Sequence, residues 1–280
     1  MEKMKGLFRF TSLLKPMIYL IVFSLLYGAG ALWSLSLPSG WGGLICCLFA
    51  GLYGLCLYFV CGLCWGKKRG TLSVPIMIEV FVLSLVLALI AMYVLSPLAI
   101  TTSVLLYLLG AVLGTILLFF GIPSLIVIFR TLYEGITSFK EQISAVILAW
   151  KTHFWRILNV WLIFVLVLFF WDGFIAGPLY SPSGLNPAAL MSSLVLLRQP
   201  GVSAEMMVLM GASGDGIGEL VMLLALCAIL EVFFECNMIV WTGNDAASAW
   251  KQEKKESKNE KTSKTPQADQ TKNRKGKKLS

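Results

Sequence analysis

The sequence predicts an all-α fold: a polytopic membrane helix bundle of six transmembrane helices, with the N- and C-termini cytoplasmic. Three observations carry that prediction. The 280 residues are 58% hydrophobic and only 14% charged, with a mean hydropathy of +0.80, where a soluble globular chain is about half apolar and a quarter charged. Several apolar runs exceed the roughly 20 residues that cross about 30 Å of hydrocarbon. They are continuous rather than alternating, so they read as helices that satisfy their own backbone and not as barrel strands. The third observation is the placement of charge. Four Lys/Arg lie in residues 1–15, three at Lys67–Arg69, four between Arg130 and Arg156 and eleven after Trp241, leaving only Arg198 for the other side. With the N-terminus inside, this is a strong positive-inside pattern.

The elements follow in order. Residues 1–15 form a basic amphipathic start, with Lys3, Lys5, Arg9 and Lys15 among Leu7, Phe8, Phe10 and Leu13; it suits the inner membrane surface. Ala29-Gly30-Ala31 resembles a signal-peptide cleavage site, but the apolar run continues and a second follows at once, so an uncleaved span is expected. The spans are about 16–37, 41–65, 74–95, 98–120, 157–171 and 217–241. Pro38-Ser39-Gly40 turns the chain between the first two, Lys67-Lys68-Arg69 stops the second, Ser96-Pro97 turns the chain after the third, and Gly121 with Pro123 bends or ends the fourth. Gly110/Gly114, and Gly43, Cys47 and Gly51 at four-residue spacing, are small-residue ridges suited to close packing within one bundle.

Between spans four and five lies a charged amphipathic connector, 130–156, placed in the cytoplasm. Ser138-Phe-Lys-Glu141 is a capping box. Ile143, Val146, Ile147, Trp150, Phe154, Ile157 and Leu158 follow helical spacing, and Lys140, Ser144, Lys151, Thr152 and Arg156 sit largely off that face. An interfacial helix that bends into span five is expected, with Trp150 and Trp155 at headgroup level. Lys140, Trp150, Lys151, Phe154 and Arg156 make it a candidate docking surface for a cytoplasmic partner. An outer loop, 172–216, contains two short apolar stretches, Pro187–Leu197 and Ala204–Gly211. The tail, 251–280, is rich in Lys, Glu, Ser, Thr and Gln, cannot bury a core, and reads as disordered and basic.

Gly121-Ile-Pro-Ser-Leu-Ile-Val-Ile-Phe-Arg130, Tyr133-Glu-Gly135, Phe139 and Trp150-Lys-Thr-His-Phe-Trp-Arg156 resemble the YesL-type family of small bacterial multi-pass membrane proteins. The match covers about 35 of the 280 residues. The resemblance implies an inner amphipathic connector and an association with carbohydrate uptake; it brings no catalytic residues. This chain departs from the family in having four spans before the motif and in lacking a small-Thr-Thr-Ala run after the proline.

The chemistry-bearing residues are sparse. Glu79, Glu219, Glu231 and Glu235 fall inside expected spans, where an ionisable group is costly and marks a functional candidate. Glu219 sits near an outer end. Glu79, Glu231 and Glu235 share the inner half of the bundle and are candidates for an ion or proton path; the structural alternative is capping by a nearby Lys, Arg or Asn, such as Asn159 or Asn237. Cys61-Gly-Leu-Cys64 has redox or metal spacing but no second ligand pair, and reads as small packing residues. His153, the single histidine, suggests no catalytic set. HExxH, Walker A and GxGxxG patterns are absent from the sequence. No enzyme, cofactor, metal or nucleic-acid function is therefore expected. The expectation is a transport-associated, permease-like plasma-membrane subunit that lacks an ATPase of its own and meets the lipid bilayer and a separate ATPase. The alternatives are a non-transporting scaffold or regulator and, behind that, an intramembrane enzyme using the carboxylates.

Overall fold

The computed structural model describes residues 10–66, 73–99, 101–169, 229–230 and 232–250, and every regular element among them is helical. The helices are α1 (Phe10–Leu35), α2 (Ser39–Cys64), α3 (Val74–Ile90), α4 (Ser96–Ala99), α5 (Val104–Ile116), α6 (Ile122–Tyr133), α7 (Phe139–Phe169) and α8 (232–250). Among the described residues, four stretches are long and apolar enough to cross a membrane: Leu13–Ala31, Trp41–Cys64, Val74–Ala99 and Val104–Tyr133. Among the described residues the chain is thus all-helical, with the apolar helices of a membrane-embedded protein. Of the expected fifth span, α7 covers 157–169; of the sixth, 229–230 and 232–241 are helical. The rest of those spans, the 172–216 loop, the 67–72 turn, both chain ends and Glu231 lie outside the described residues.

Ser96-Pro97 acts differently from the sequence expectation and Gly121 with Pro123 does not end its helix, for one reason. Ser96-Pro97 does not turn the chain, because a π turn at Ala91–Leu95 precedes it and α4 carries straight on. The Ser96 amide donates to the Ala91 carbonyl, five residues back. The widened turn takes the preceding carbonyls away from the proline ring, which in a regular α-helix would clash and leave a hydrogen bond unmade. A second π turn, Leu117–Gly121, does the same before Pro123, with the Ile122 amide donating to Leu117. The helix then continues as α6 to Tyr133. Arg130 is consequently part of the packed bundle rather than of the connector, with Pro123, Ile126, Val127, Phe129 and Leu132 buried around it. The chain turns only after Tyr133, at Gly135, whose φ of 84° favours glycine.

Two apolar clusters form the interior. One joins α2, α3, α6, α7 and α8 around Tyr58, Phe129, Leu132, Ile157, Trp161 and Phe164. The other joins α1, α2 and α3 around Leu20, Cys47, Val60 and Ala88, and takes in Val232 and Cys236 of α8. Helix α2 serves both. Its Gly62 lies directly against the Tyr133 ring, so a side chain there would displace the ring; Tyr133 in turn donates to the Tyr58 carbonyl at 3.1 Å and stacks on the Tyr58 ring at 4.4 Å. Gly110 of the small-residue ridge backs onto Leu98, and Gly114 is buried, so that ridge packs within the chain. Outside, α5 exposes Val104, Leu105, Leu108, Leu109, Val112 and Ile116, the apolar surface a helix presents to lipid.

Helix α7 has a break inside it. His153 has φ −126° and ψ 26°, which separates a first half, from Phe139, from a second half running to Phe169. Just before it, the Thr152 hydroxyl donates to the Leu148 carbonyl at 2.8 Å, a back-bond that bends helices by competing for the ladder acceptor. The helix starts where Ser138 places it: the Ser138 carbonyl accepts the Gln142 amide at 3.0 Å.

Candidate functional site

Helices α2, α3, α6, α7 and α8 line a partly open cavity of about 80 Å³. Its wall is mostly aliphatic, with Ala50, Leu57, Leu87, Ile122, Leu125, Ile126, Met238 and Ile239. Into this apolar setting come one carboxylate, Glu235, and the hydroxyls of Ser84 and Tyr53. Glu235 is 6% exposed and Ser84 7%. Each is set there by helical spacing. On α3 the buried positions are Ile76, Val80, Ser84 and Ala88, a strict four-residue stripe. On α8, Val232, Glu235, Cys236 and Ile239 share the buried face.

The three polar groups differ in what surrounds them. The Tyr53 hydroxyl is 3.1 Å from the Ser24 hydroxyl on α1. The Ser84 hydroxyl lies against Gly54, whose missing side chain makes room for it, and it has no hydrogen-bond partner. A buried hydroxyl in that condition carries a desolvation cost of about 1–3 kcal/mol. Trp161, fully buried in the wall, is oriented by its indole N–H, which donates to Thr242 Oγ1 at 3.3 Å. A second cavity of about 110 Å³ lies between α7 and α8, lined by Val160, Ile163, Phe164, Phe234, Asn237, Met238 and Trp241. Phe164 and Met238 belong to both walls and stand between the two spaces.

The three expected acids stand as follows. Glu235 lines the cavity. Glu79 does not, because it lies one position off the Ile76–Val80–Ser84 stripe and is half-exposed. Glu231 falls outside the described residues. Asn237 directs its amide N–H₂ to its own helix, donating to the Phe233 carbonyl at 2.8 Å, and Asn159 is exposed.

The connector residues also divide. Lys140 and Lys151 are exposed. Trp150 turns inward: its indole N–H donates to Ser124 Oγ on α6 at 3.0 Å, and its ring lies 4.9 Å from that of Phe120. The apolar face read from the sequence therefore splits. Gln142, Ala149, Ile157 and Trp161 are buried, whereas Phe139, Ile143, Ile147, Phe154 and Trp155 are exposed. Arg156 is drawn to α8, with its guanidinium 3.1 Å from Asp245 Oδ1.

That contact belongs to a clasp that the sequence did not announce. At the break in α7, His153 Nε2 lies 3.0 Å from Ser248 Oγ, and the Ser248 hydroxyl donates to the Asp245 carbonyl at 2.8 Å. His153, Ser248 and Asp245 thus meet, but not as a nucleophile and its base. The serine proton is committed to a backbone carbonyl, which leaves His153 Nε2–H as the donor, and the Asp245 carboxylate is engaged by Arg156. Burial pushes the Asp245 carboxyl above its ordinary pKa, and the charges of Arg156 and His153 pull it part of the way back.

A third polar group closes the same end of the bundle. Arg130 is buried, bonds Glu134 at 2.9 Å one turn on, and lies 5.1 Å from the centre of the Trp65 ring. Trp65 donates to the Ile239 carbonyl at 2.9 Å. The CxxC pair sits beside it: Cys61 is buried with Tyr58 and Tyr133, neither cysteine is in a disulfide, and no metal-holding group of His, Cys, Asp and Glu occurs among the described residues. No family model, curated protein or solved structure matches the chain.

Proposed function

We propose that the chain is a transport-associated, permease-like subunit of the plasma membrane, with six spans, both termini cytoplasmic and a separate ATPase as partner. The observation that supports transport is the cavity among α2, α3, α6, α7 and α8. It places a carboxylate that is almost wholly out of water beside a hydroxyl with no partner, inside a helix bundle. Ionisable groups in such positions mark solute and ion paths more often than packing, since packing is better served by an apolar residue. The positive-inside distribution of Lys and Arg supports the orientation, and the partial resemblance to YesL-type proteins agrees with an uptake setting. The exposed first half of α7, with Lys140 and Lys151 beside Phe139, Ile143 and Ile147, supports an inner contact surface.

Purification from native membranes in mild detergent tests the assignment. A stoichiometric ATPase is expected to accompany the chain; a chain that runs alone rejects the permease. A reporter fused at Ser183 is expected on the outer side, and a cytoplasmic signal rejects the six-span orientation. A non-transporting scaffold is the second reading. It is favoured by the closely packed α1–α2–α3 side, where Phe49 lies against Gly30 and Phe81 against Gly51.

A further inference from the structure

We infer that the exposed face of the first half of α7 is a binding surface for anionic phospholipid. The inference rests on the inner placement of the connector and names what meets that contact surface; it needs neither a solute nor an ATPase. The helix is regular up to the break at His153, so each position fixes a direction, at about 100° per residue. Gln142 and Ala149 are buried and mark the side turned to the bundle. Phe139, Ile143 and Ile147 are exposed and fall in a strip about 80° wide next to that side. Lys140 and Lys151, both exposed, stand together along the far edge of the strip. Glu141 is the only acid between 139 and 152, and it lies about 80–100° farther round. The order round the helix is therefore bundle, apolar strip, lysines, acid. A helix at the edge of a bilayer meets hydrocarbon, phosphate and water in that same order. Lysine stems run along the apolar strip and lift the ammonium to the phosphates. A protein partner asks for no such succession of sectors.

Two further observations select lipid. The strip is continuous with surface that faces hydrocarbon. The Trp150 ring lies 4.9 Å from that of Phe120, an exposed residue of the stretch Val104–Tyr133, which is long and apolar enough to cross a membrane. Trp150 also lies 5.8 Å from Phe154, and Phe154 lies 5.3 Å from Trp155, which is 71% exposed. Four rings thus carry the lipid-facing surface of the span onto α7, and an exposed Trp at their end suits the headgroup zone. The charge is also uncommitted. Arg156 is bonded to Asp245, but among the described residues neither Lys140 nor Lys151 makes an ion pair. The two lysines are about 16 Å apart along the axis, so each meets its own headgroup. A lysine at the surface of an anionic leaflet favours anionic lipid about fivefold.

Fluorine NMR of the full-length protein tests the surface, with the protein labelled by fluorotryptophan and held in nanodiscs of phosphatidylcholine and phosphatidylglycerol. Ile147→Trp adds one resonance in the strip. Native Trp155, located by its loss in Trp155→Phe, supplies a second if Ile147→Trp fails to fold. Both resonances should broaden with phosphatidylglycerol spin-labelled near its headgroup and stay sharp with an aqueous gadolinium chelate. Spin-labelled phosphatidylcholine at the same content should broaden them less. Lys140→Gln combined with Lys151→Gln should cut that preference about fivefold or more. Lys254→Gln combined with Lys255→Gln removes as much charge from the tail and should leave it unchanged. Broadening by gadolinium and not by lipid overturns the surface and gives the face to a protein partner. Resonances untouched by either probe overturn it too, by showing that the chain covers its own face. So does equal broadening by the two lipids, which makes the contact merely apolar. Failure of the lipid contact in a chain that co-purifies with a stoichiometric ATPase removes the lipid surface and leaves the permease standing, whereas lipid contact by a chain that runs alone does the reverse.

Discussion

Helix α8 carries two buried carboxylates ten residues apart, about 15 Å along its axis, and their surroundings are opposite. Asp245 meets a cation: Arg156 reaches across from α7 to 3.1 Å, and Ser248 and His153 complete a clasp at the break in that helix. Glu235 looks into a cavity whose described wall holds hydroxyls, aromatic rings and aliphatic side chains. The same residue class is structural in one place and a candidate for chemistry in the other. Burial does not separate them, since the two are 5% and 6% exposed; the settings do, an ion pair at the break in α7 for Asp245 and a mostly aliphatic and aromatic cavity wall for Glu235. Trp161, bonded to Thr242 between them and lining the cavity, links the two regions.

The strongest test of that link is Trp161→Ala. It removes the largest fully buried side chain, so a loss of about 3–5 kcal/mol is expected in detergent unfolding, while Trp161→Phe should lose much less. A loss below about 1 kcal/mol for the alanine variant would show that the two regions do not depend on a common wall. Next comes the clasp. Arg156→Met leaves Asp245 buried without its cation, and a loss of about 1–2 kcal/mol is expected, below the range for a fully buried pair because Arg156 is 63% exposed. Adding Asp245→Asn should recover most of it. A double variant no better than the single would mean that the ion pair is incidental.

The pH dependence sharpens the contrast further. The folded Asp245 carboxyl holds its proton to a higher pH than the unfolded one, chiefly through burial, with Arg156 and His153 opposing. In the window from the ordinary carboxylate range, about 4, up to the raised folded value, the folded state binds more protons than the unfolded state. Stability contributed by this group is therefore fully present below the window and declines as pH rises through it. Relative to Asp245→Asn, the wild-type protein should lose stability across that interval. Equal slopes for the two proteins in urea titrations at pH 4 to 7 would contradict the assignment.

Much of the fold was legible because lipid imposes a simple rule: long apolar runs must be helices. The first four spans follow it to within a few residues at most ends. The exceptions are local backbone events. Pro97 read as a turn and Pro123 as a bend or an end, yet a π turn ahead of each lets the helix pass, and nothing in five residues such as Ala91-Met-Tyr-Val-Leu95 announces a wider turn. Of the site, Glu235 was visible as an acid in an apolar run, and the Ile76, Val80, Ser84, Ala88 stripe was present in the sequence as a four-residue repeat that includes Ser84 and excludes Glu79. Asp245 and Ser248 were not visible, since their role depends on a kink at His153 and on which face of α8 turns to α7.

Glu79→Gln carries the smallest expected effect and is the cleanest control. Glu79 shares α3 with Ser84 but lies one position off the buried stripe, half-exposed and outside the cavity wall. A neutral isostere at a partly exposed position away from a buried network changes stability by about 0.5 kcal/mol or less. The comparison with Glu235→Gln then reads the location of the charge rather than its number, because both variants remove one carboxylate from the same bundle. A loss of stability in Glu79→Gln equal to that in Glu235→Gln would mean that the two acids act as one unit, as their similar depth in the sequence first suggested, and that the α3 stripe does not mark its boundary.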